Sequence, residues 1–435
     1  MASQPPNQTP TPAPSKDQRE AASKALTTLI TNQEKSTTPS HQPQTPTHAS
    51  PTTTTTYLNH LALALPQQAS LEAFENSWHL GNYVLDRHSG LQTFEPMPLY
   101  VRLGMHFLYY GTGQEAVLHW KAAQNLLKSQ TEALGRTYDS AASKAHIRPF
   151  VSSFGLEASL GELARPDLEG YGSFNEFFAR ELRSGARPVE GEGDERVVSS
   201  VADCRLMVFE SVGLAARVWV KGFGFTVGRL LGEEGEDGHG NPSGKEKGET
   251  KQGKAQKRTW ANTFDGGAIA ISRLAPQDYH RWHSPIDGVI ESITEIPGTY
   301  YTVNPQAINE VGALNVFCEN RRSVMIVRRR LGASQPPSSI VAIVAVGAML
   351  VGSIKYNPGI GVGAEIKRGQ CLGAFQYGGS TVIVLFPKGE VVFDGDLVAT
   401  SAEKCCETLV KVGWRIGRGP VADNQEDKKM PARVS

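Results

Sequence analysis

Residues 378–381 read Gly-Gly-Ser-Thr and lead directly into the apolar run 382–386. Two glycines leave the peptide bond before Ser380 sterically open, because glycine tolerates backbone conformations that other residues reach only at a cost. A buried strand directly after Ser380 would hold its hydroxyl in a fixed place. The segment alone permits two interpretations: a tight turn into a strand, or a serine nucleophile next to the bond that joins Gly379 to Ser380.

Upstream residues could activate such a serine. His280 and His283 lie in the segment Tyr-His-Arg-Trp-His-Ser-Pro, and Asp203 lies in Val-Ala-Asp-Cys-Arg. An imidazole can remove and return a proton near neutral pH, and a carboxylate can orient the ring and stabilise its cationic form. Asp287 is a second candidate for the carboxylate, although its Pro-Ile-Asp-Gly context is also typical of a turn. These residue types together favour an activated nucleophile.

Five further segments occur in the same order as in one enzyme family. They are Met-Pro-Leu-Tyr-Val-Arg at 97–102, Phe-Asn-Glu-Phe-Phe-Ala-Arg-Glu-Leu at 174–182, Gly-Ala-Arg-Pro-Val at 185–189, Tyr-Thr-Val-Asn-Pro at 301–305 and Val-Gly-Ala-Met-Leu-Val-Gly-Ser-Ile at 346–354. With the Gly-Gly-Ser-Thr segment, they resemble the phosphatidylserine decarboxylases, and in particular the fungal non-mitochondrial branch of that family.

The resemblance implies a self-cleaving proenzyme. Ser380 would attack the carbonyl of Gly379, and the chain would separate into a β piece and an α piece. The α piece would begin with a pyruvoyl group derived from Ser380, the covalent cofactor for converting phosphatidylserine to phosphatidylethanolamine and CO2. The resemblance also implies that His283 is the general base, with Asp203 as its orienting carboxylate, and that His283 protonates the carbanion left by decarboxylation.

Other residues are candidates for contact with the substrate. The resemblance implies a substrate or proton-handling role for His280 and a place near the site for Tyr301. Arg281, Arg180 and Arg187 could each pair with a phosphate or carboxylate, because a guanidinium recognises such groups bidentately. Each arginine could equally form a structural ion pair, and the sequence does not decide between the two roles.

Composition narrows the class of protein. The formal net charge of zero gives no bulk field to attract nucleic acid, and the five cysteines form no Cys-x-x-Cys pair, as expected for reduced thiols in a cytosol-facing protein. We find no metal-ligand pattern, so we expect no bound metal. We also find no secretory or mitochondrial leader. The apolar run at 339–352 is shorter than the ~20 residues that span a bilayer, so we predict a peripheral protein on an endomembrane.

The chain divides by composition into four parts. Residues 1–56 predict a disordered Thr/Pro/Ser-rich tail, and 57–168 a helical region. Residues 169–420 predict the catalytic core with a disordered insertion at 232–258, and 421–435 a polar tail. The fold class expected is α+β: a helical N-terminal region packed on a mainly antiparallel β core that contains both cleaved pieces.

Two alternatives to a membrane-bound phosphatidylserine substrate stay open. Relatives with the same chemistry decarboxylate a soluble aromatic amino acid such as tryptophan, and the sequence upstream of the core is not the calcium-dependent lipid-binding module of larger enzymes. A paralogue that binds lipid without catalysis is the third hypothesis, and the presence of Asp203, His283 and Ser380 argues against it. Association into a homo-oligomer is compatible with the sequence but is not predicted by it.

Overall fold

The computed structural model describes residues 81–96, 129, 133, 135–218, 220, 225–233, 260–301, 315–330, 339–348, 353–377 and 380–419. Several sequence predictions lie outside these residues. They are the disordered tail at 1–56, the insertion beyond Glu233, the polar tail at 421–435 and the Met-Pro-Leu-Tyr-Val-Arg segment.

Strands supply most of the regular structure in the described residues. The strands are β1 (Gly81–Asp86), β2 (Gln92–Pro96), β3 (Val197–Ser199), β4 (Cys204–Phe209), β5 (Ala268–Leu274), β6 (Arg281–His283), β7 (Gly288–Ile296), β8 (Arg322–Arg329), β9 (Ile340–Gly347), β10 (Ile354–Tyr356), β11 (Glu365–Ile366), β12 (Cys371–Phe375), β13 (Ser380–Phe386), β14 (Val392–Phe393), β15 (Glu407–Val410) and β16 (Arg415–Arg418).

The helices whose bounds lie within the described residues are short. They are α1 (Ile147–Ser153), α2 (Phe174–Phe178), α3 (Val212–Val218), α4 (Val227–Leu231), α5 (Ala261–Phe264), α6 (Val316–Glu319) and α7 (Gly395–Ala402). Segments of 3₁₀ helix cover Ala141–His146, Glu157–Glu162 and Leu168–Gly170. Among the described residues, no helix is long and apolar enough to cross a membrane.

One large sheet organises the described part of the chain. Its ten strands follow the order β11-β7-β8-β9-β13-β5-β4-β15-β1-β2, and two three-stranded sheets, β10-β12-β6 and β14-β16-β3, accompany it. Neighbouring strands are antiparallel except β1 and β15, which are parallel. The predicted α+β class with a mainly antiparallel core is therefore confirmed.

The sheet is buried on both faces at its centre. Successive side chains of a strand point to opposite faces. In β13, Ile383 and Leu385 pack into a core that includes the helices, whereas Val382, Val384 and Phe386 pack into a second core on the other face. This explains why β13 reads as an uninterrupted apolar run after Ser380, rather than as an alternating one.

The helical prediction for 57–168 is wrong at residues 81–96, which form the β1-β2 hairpin. Gly90, with φ of +69°, closes its turn, and Val84 is fully buried. Strand β15 pairs with β1 in parallel, so hydrogen bonds from a distant part of the chain stabilise the extended conformation of β1. The apolar residues between 103 and 127 recur at spacings near three and four, which predicts helix, and they lie outside the described residues.

Candidate active site

Ser380 is the first residue of β13, at the middle of the large sheet. It pairs with Leu274 of β5 and with Gly347 of β9, and it is fully buried. Residues 378 and 379 lie outside the described part of the chain. The strand begins at the serine, as the sequence suggested, so neighbours on both sides hold the Ser380 backbone.

His280 contacts the Ser380 hydroxyl. Its Nδ1 lies 3.0 Å from Ser380 Oγ, and its Nε2 lies 2.8 Å from the carbonyl oxygen of Ala275. A carbonyl oxygen can only accept, so Nε2 carries the ring proton and Nδ1 presents its lone pair to the serine hydroxyl. The ring also packs on Phe178, with centroids 4.0 Å apart. The fully buried imidazole is therefore fixed in the tautomer that can accept the Ser380 proton.

A closed turn between β5 and β6 places His280. The Ala275 amide donates to Asp278 Oδ2 at 2.7 Å, and the Asp278 amide donates back to the Ala275 carbonyl at 2.9 Å. Arg205 forms an ion pair with the Asp278 carboxylate. Arg180 donates to the carbonyl of Asp278 at 3.1 Å. Arg180 therefore stabilises the turn. The Ala275 carbonyl is fixed where it accepts the hydrogen bond from His280 Nε2.

The same surroundings keep His280 neutral. Burial lowers its pKa to about 3, the hydrogen bond to the Ala275 carbonyl opposes that change, and the charges of Arg180 and Arg205 lower the pKa further. Removing a charged group from water disfavours its charged form. The imidazole is thus ready to accept a proton at neutral pH but stabilises the resulting cation poorly.

His283 lies in β6, three residues after His280. Its backbone amide donates to the Val201 carbonyl at 2.7 Å, and its Nδ1 has no hydrogen-bond partner among the described residues. Burial lowers its pKa to about 4, whereas the negative charge of Asp203 acts to raise it. Asp203 thus influences the charge of His283, whereas the Ser380 hydroxyl contacts His280.

Asp203 is held mainly by Arg187. The Arg187 Nε lies 3.0 Å from each carboxylate oxygen of Asp203, and its Nη2 lies 2.6 Å from Oδ2. The Val412 amide donates to Asp203 Oδ1 at 2.9 Å, and Arg187 also pairs with Glu162 at 2.9 Å. Arg187 thus forms a structural ion pair, which was one of its two predicted roles.

Arg281 is also occupied by contacts within the chain. Its Nε donates to the Ala179 carbonyl at 2.8 Å, and its Nη1 donates to Asn357 Oδ1 at 3.2 Å. Its Nη2 pairs with Glu181 at 3.0 Å. Arg281 therefore ties the end of α2 to β6, and this arrangement gives a structural reason for the residue that does not require a substrate.

Two further candidates are held by backbone contacts. The Tyr301 amide donates to Asn320 Oδ1 at 2.8 Å, and Asn320 Nδ2 donates to the Tyr301 carbonyl at 2.7 Å. Asp287 Oδ1 accepts the Arg368 amide at 2.7 Å. Asp287 thus links the start of β7 to a segment 81 residues later, a structural contact that differs from the alternative role as an orienting carboxylate. The described residues contain no cluster of three or more metal-ligating side chains.

Sequence reasoning missed the contribution of Phe178 and of the Arg205–Asp278 pair. Both lie in or beside segments that carried the family resemblance, but nothing in their spacing indicates contact with the histidine. Only the pairing of β4 with β5 brings Arg205 to the turn after β5.

The sequence model of the family "phosphatidylserine decarboxylase" matches residues 174–418. This range includes Asp203, both histidines and Ser380. Since the match covers more than half of the chain and holds the whole candidate site, the chain belongs to the phosphatidylserine decarboxylase family.

Individual relatives support this membership. The chain is 40% identical over 335 residues to phosphatidylserine decarboxylase proenzyme 3 of Schizosaccharomyces pombe. The aligned region covers 77% of this chain and 31% of that protein. It is 36% identical over 358 residues to proenzyme 2 of rice, covering 81% of this chain and 52% of the relative. The Fusobacterium nucleatum proenzyme is 31% identical over 313 residues, which cover 72% of this chain and 90% of the bacterial protein. The chain thus spans about a third of the fungal relative and most of the bacterial one.

Proposed function

We propose that this chain is a carboxy-lyase that decarboxylates phosphatidylserine with a pyruvoyl group made from Ser380. The observation that carries the proposal is the buried hydrogen bond between Ser380 Oγ and His280 Nδ1 at the start of the central strand. The names of the relatives support the substrate and the proenzyme form. The residues proposed to take part are Ser380, His280, His283 and Asp203.

The first proposed step is an acyl shift at the bond between Gly379 and Ser380. The serine hydroxyl forms an ester bond with the Gly379 carbonyl carbon while the C–N bond breaks, and the freed nitrogen gains a proton. His280 Nδ1 accepts the hydroxyl proton, because its lone pair faces that oxygen. His280 thus replaces His283 in the role of first base.

The second proposed step separates the two pieces. Loss of the residue 380 α-proton breaks the Cβ–O bond and releases the β piece as a carboxylate. Hydrolysis of the remaining dehydroalanine, with loss of ammonia, leaves a ketone at the start of the α piece. His283, whose Nδ1 has no partner among the described residues, is assigned with Asp203 to proton transfer after the acyl shift.

The surroundings of Ser380 fit a pyruvoyl group. Position 380 is fully buried and lies against the His280 imidazole, and the Phe178 ring packs on that imidazole. Exclusion of water protects an electrophilic ketone from side reactions. When formed, the group supplies an electron acceptor for the charge released as CO2 departs. His280 and Phe178 would be the residues of this chain that orient it.

The pH dependence of scission should follow the lowered pKa of His280. The base must be neutral, and it is neutral above its own pKa of about 3 rather than above the ordinary value near 6.5. We therefore expect the scission rate of freshly translated proenzyme to stay nearly constant between pH of about 8 and about 5. Denaturing gels at timed intervals would measure this rate. A rate that halves near the ordinary histidine pKa would contradict a buried neutral base.

The two pieces should remain associated after scission. Strand β13 of the α piece lies between β9 and β5 of the β piece, and β15 lies between β4 and β1. We expect both fragments to elute together under native conditions and to separate only in denaturant, because separation would break backbone ladders on both sides of two strands. Elution of a free α piece from a folded β piece would contradict the described topology.

A direct comparison of substrates tests the proposed activity. The purified protein is assayed with phosphatidylserine in mixed micelles and, separately, with free tryptophan. Release of CO2 only from the phospholipid supports the proposal, and activity only on the amino acid favours the soluble-substrate alternative. A protein that stays as one chain and acts on neither would favour the lipid-binding paralogue. Co-sedimentation with vesicles tests the proposed peripheral attachment to a membrane.

A further inference from the structure

Helix α2 contacts the segment just before the proposed scission site as well as the histidine. Its residue Asn175 is 3% exposed, and Asn175 Oδ1 accepts a hydrogen bond from the backbone amide of Tyr377 at 3.0 Å. Tyr377 stands three residues before Ser380. Asn175 therefore fixes the backbone on the upstream side of the bond between Gly379 and Ser380.

Asn175 is itself held in one orientation. Its Nδ2 donates to Asp139 Oδ1 at 2.9 Å, and the same oxygen accepts Gln376 Nε2 at 3.3 Å. Because the carboxylate can only accept, the amide of Asn175 must turn its own oxygen toward Tyr377. Asp139, Asn175, the Gln376 side chain and the Tyr377 backbone amide thus form one connected set of hydrogen bonds, called here the Asn175 clamp.

Aromatic packing adds to this clamp. The Tyr377 ring lies 5.1 Å from Phe174 and 5.1 Å from Phe178, measured between centroids. Phe178 is also the ring that packs on His280. A single short helix therefore contacts both the proposed base and the chain that leads to the carbonyl under attack.

We propose that Asn175 is a positioning residue for scission, which holds the upstream backbone so that the Gly379 carbonyl meets the Ser380 hydroxyl. The attacking residue, Ser380, is already fixed, because it pairs with β5 on one side and with β9 on the other. Only two residues connect Tyr377 to Ser380, so the anchoring of Tyr377 limits where the carbonyl can lie. Asn175 touches neither reacting atom and acts through Tyr377. This inference rests on the proposed self-cleavage.

The test measures scission of proenzyme made by cell-free translation, followed on denaturing gels. We expect Asn175→Ala to slow the appearance of fragments by about 100-fold, the scale seen when reacting groups are misplaced by about 1 Å. Ser143→Ala is the matched control: the buried Ser143 hydroxyl accepts the Phe174 amide at the start of the same helix but does not contact residues 376–377. It should cleave close to the wild-type rate. Equal slowing in both variants would mean that only the stability of α2 matters.

A donor–acceptor exchange separates positioning from a general loss of structure. Asn175→Asp keeps an acceptor for the Tyr377 amide but sets two carboxylates against each other, so it should cleave slowly. Adding Asp139→Asn restores a donor opposite the new carboxylate and should recover much of the lost rate. A double variant no faster than Asn175→Asp would overturn the proposed clamp.

Hydroxylamine identifies the step that fails. It cleaves esters far more readily than amides, so it would release fragments from any variant that stops after the acyl shift. We expect it to have no such effect on Asn175→Ala, because mispositioning prevents the ester from forming; rapid release would overturn the inference. Wild-type protein that never cleaves would instead refute the proposed function. Wild-type cleavage matched by Asn175→Ala would refute this inference alone.

Discussion

Ser380→Ala should remain a single chain of 47.1 kDa and lose decarboxylase activity by at least about a million-fold, the lower end of enzymatic rate acceleration. Without the hydroxyl there is no nucleophile for the acyl shift and no source of the ketone. The fold should persist, because the change leaves one buried acceptor, His280 Nδ1, without its hydrogen bond, which costs about 1–3 kcal/mol. Gel mobility, CO2 release and thermal melting are the measurements.

Thr381→Val is the control for this prediction. Thr381 is the next residue of β13, is equally buried and has a hydroxyl with no partner among the described residues. Valine has nearly the same shape, so this variant should cleave and turn over normally. Complete processing of Ser380→Ala would show that scission does not use this serine, and failure of Thr381→Val would show that any disturbance of the strand blocks processing.

His280→Asn should slow scission by between about 100- and 10,000-fold, the usual contribution of a general base. Asparagine can place an acceptor near the position of His280 Nδ1, so it retains a hydrogen bond to Ser380 Oγ while being unable to take the proton. The rate of fragment appearance is the primary measurement, and melting of the uncleaved protein checks the fold. The variant therefore tests proton transfer, separately from the loss of the contact.

His283→Asn is the comparison for His280→Asn. Both histidines are buried and lie three residues apart, but only His280 contacts Ser380 Oγ. We expect His283→Asn to form fragments much faster than His280→Asn and to lose turnover afterwards. The opposite order, with rapid scission in His280→Asn and none in His283→Asn, would return the role of first base to His283.

Parts of the fold followed from sequence because local patterns were sufficient. The apolar run after Ser380 indicated a buried strand, and β13 is buried along its whole length. The hairpin at 81–96 was not predictable in the same way, since β1 is ordered by pairing with β15 more than 300 residues later. A pattern within one segment carries no information about such a partner.

The candidate site shows the same limit. Sequence identified the serine and both histidines, and the resemblance assigned the general base to His283. Which imidazole meets Ser380 depends on the turn closed by Asp278 and on the carbonyl of Ala275, and no local pattern indicates either contact. The arginines proposed for phosphate recognition proved to be engaged by carboxylates and carbonyls of distant segments. Asn175 gave no signal, because an asparagine in a helix has no spacing that marks a contact with a residue 202 positions later.

Intact mass measurement of the purified protein under denaturing conditions shows whether the bond before Ser380 breaks and whether a pyruvoyl group forms. We expect a fragment that corresponds to residues 380–435 but is lighter than that peptide by one ammonia molecule, as a pyruvoyl group in place of an N-terminal serine requires. We also expect that the rest of the chain ends in a free carboxylate at Gly379. A catalytically active protein with an intact bond between Gly379 and Ser380, or a fragment that begins with unmodified serine, would contradict the account.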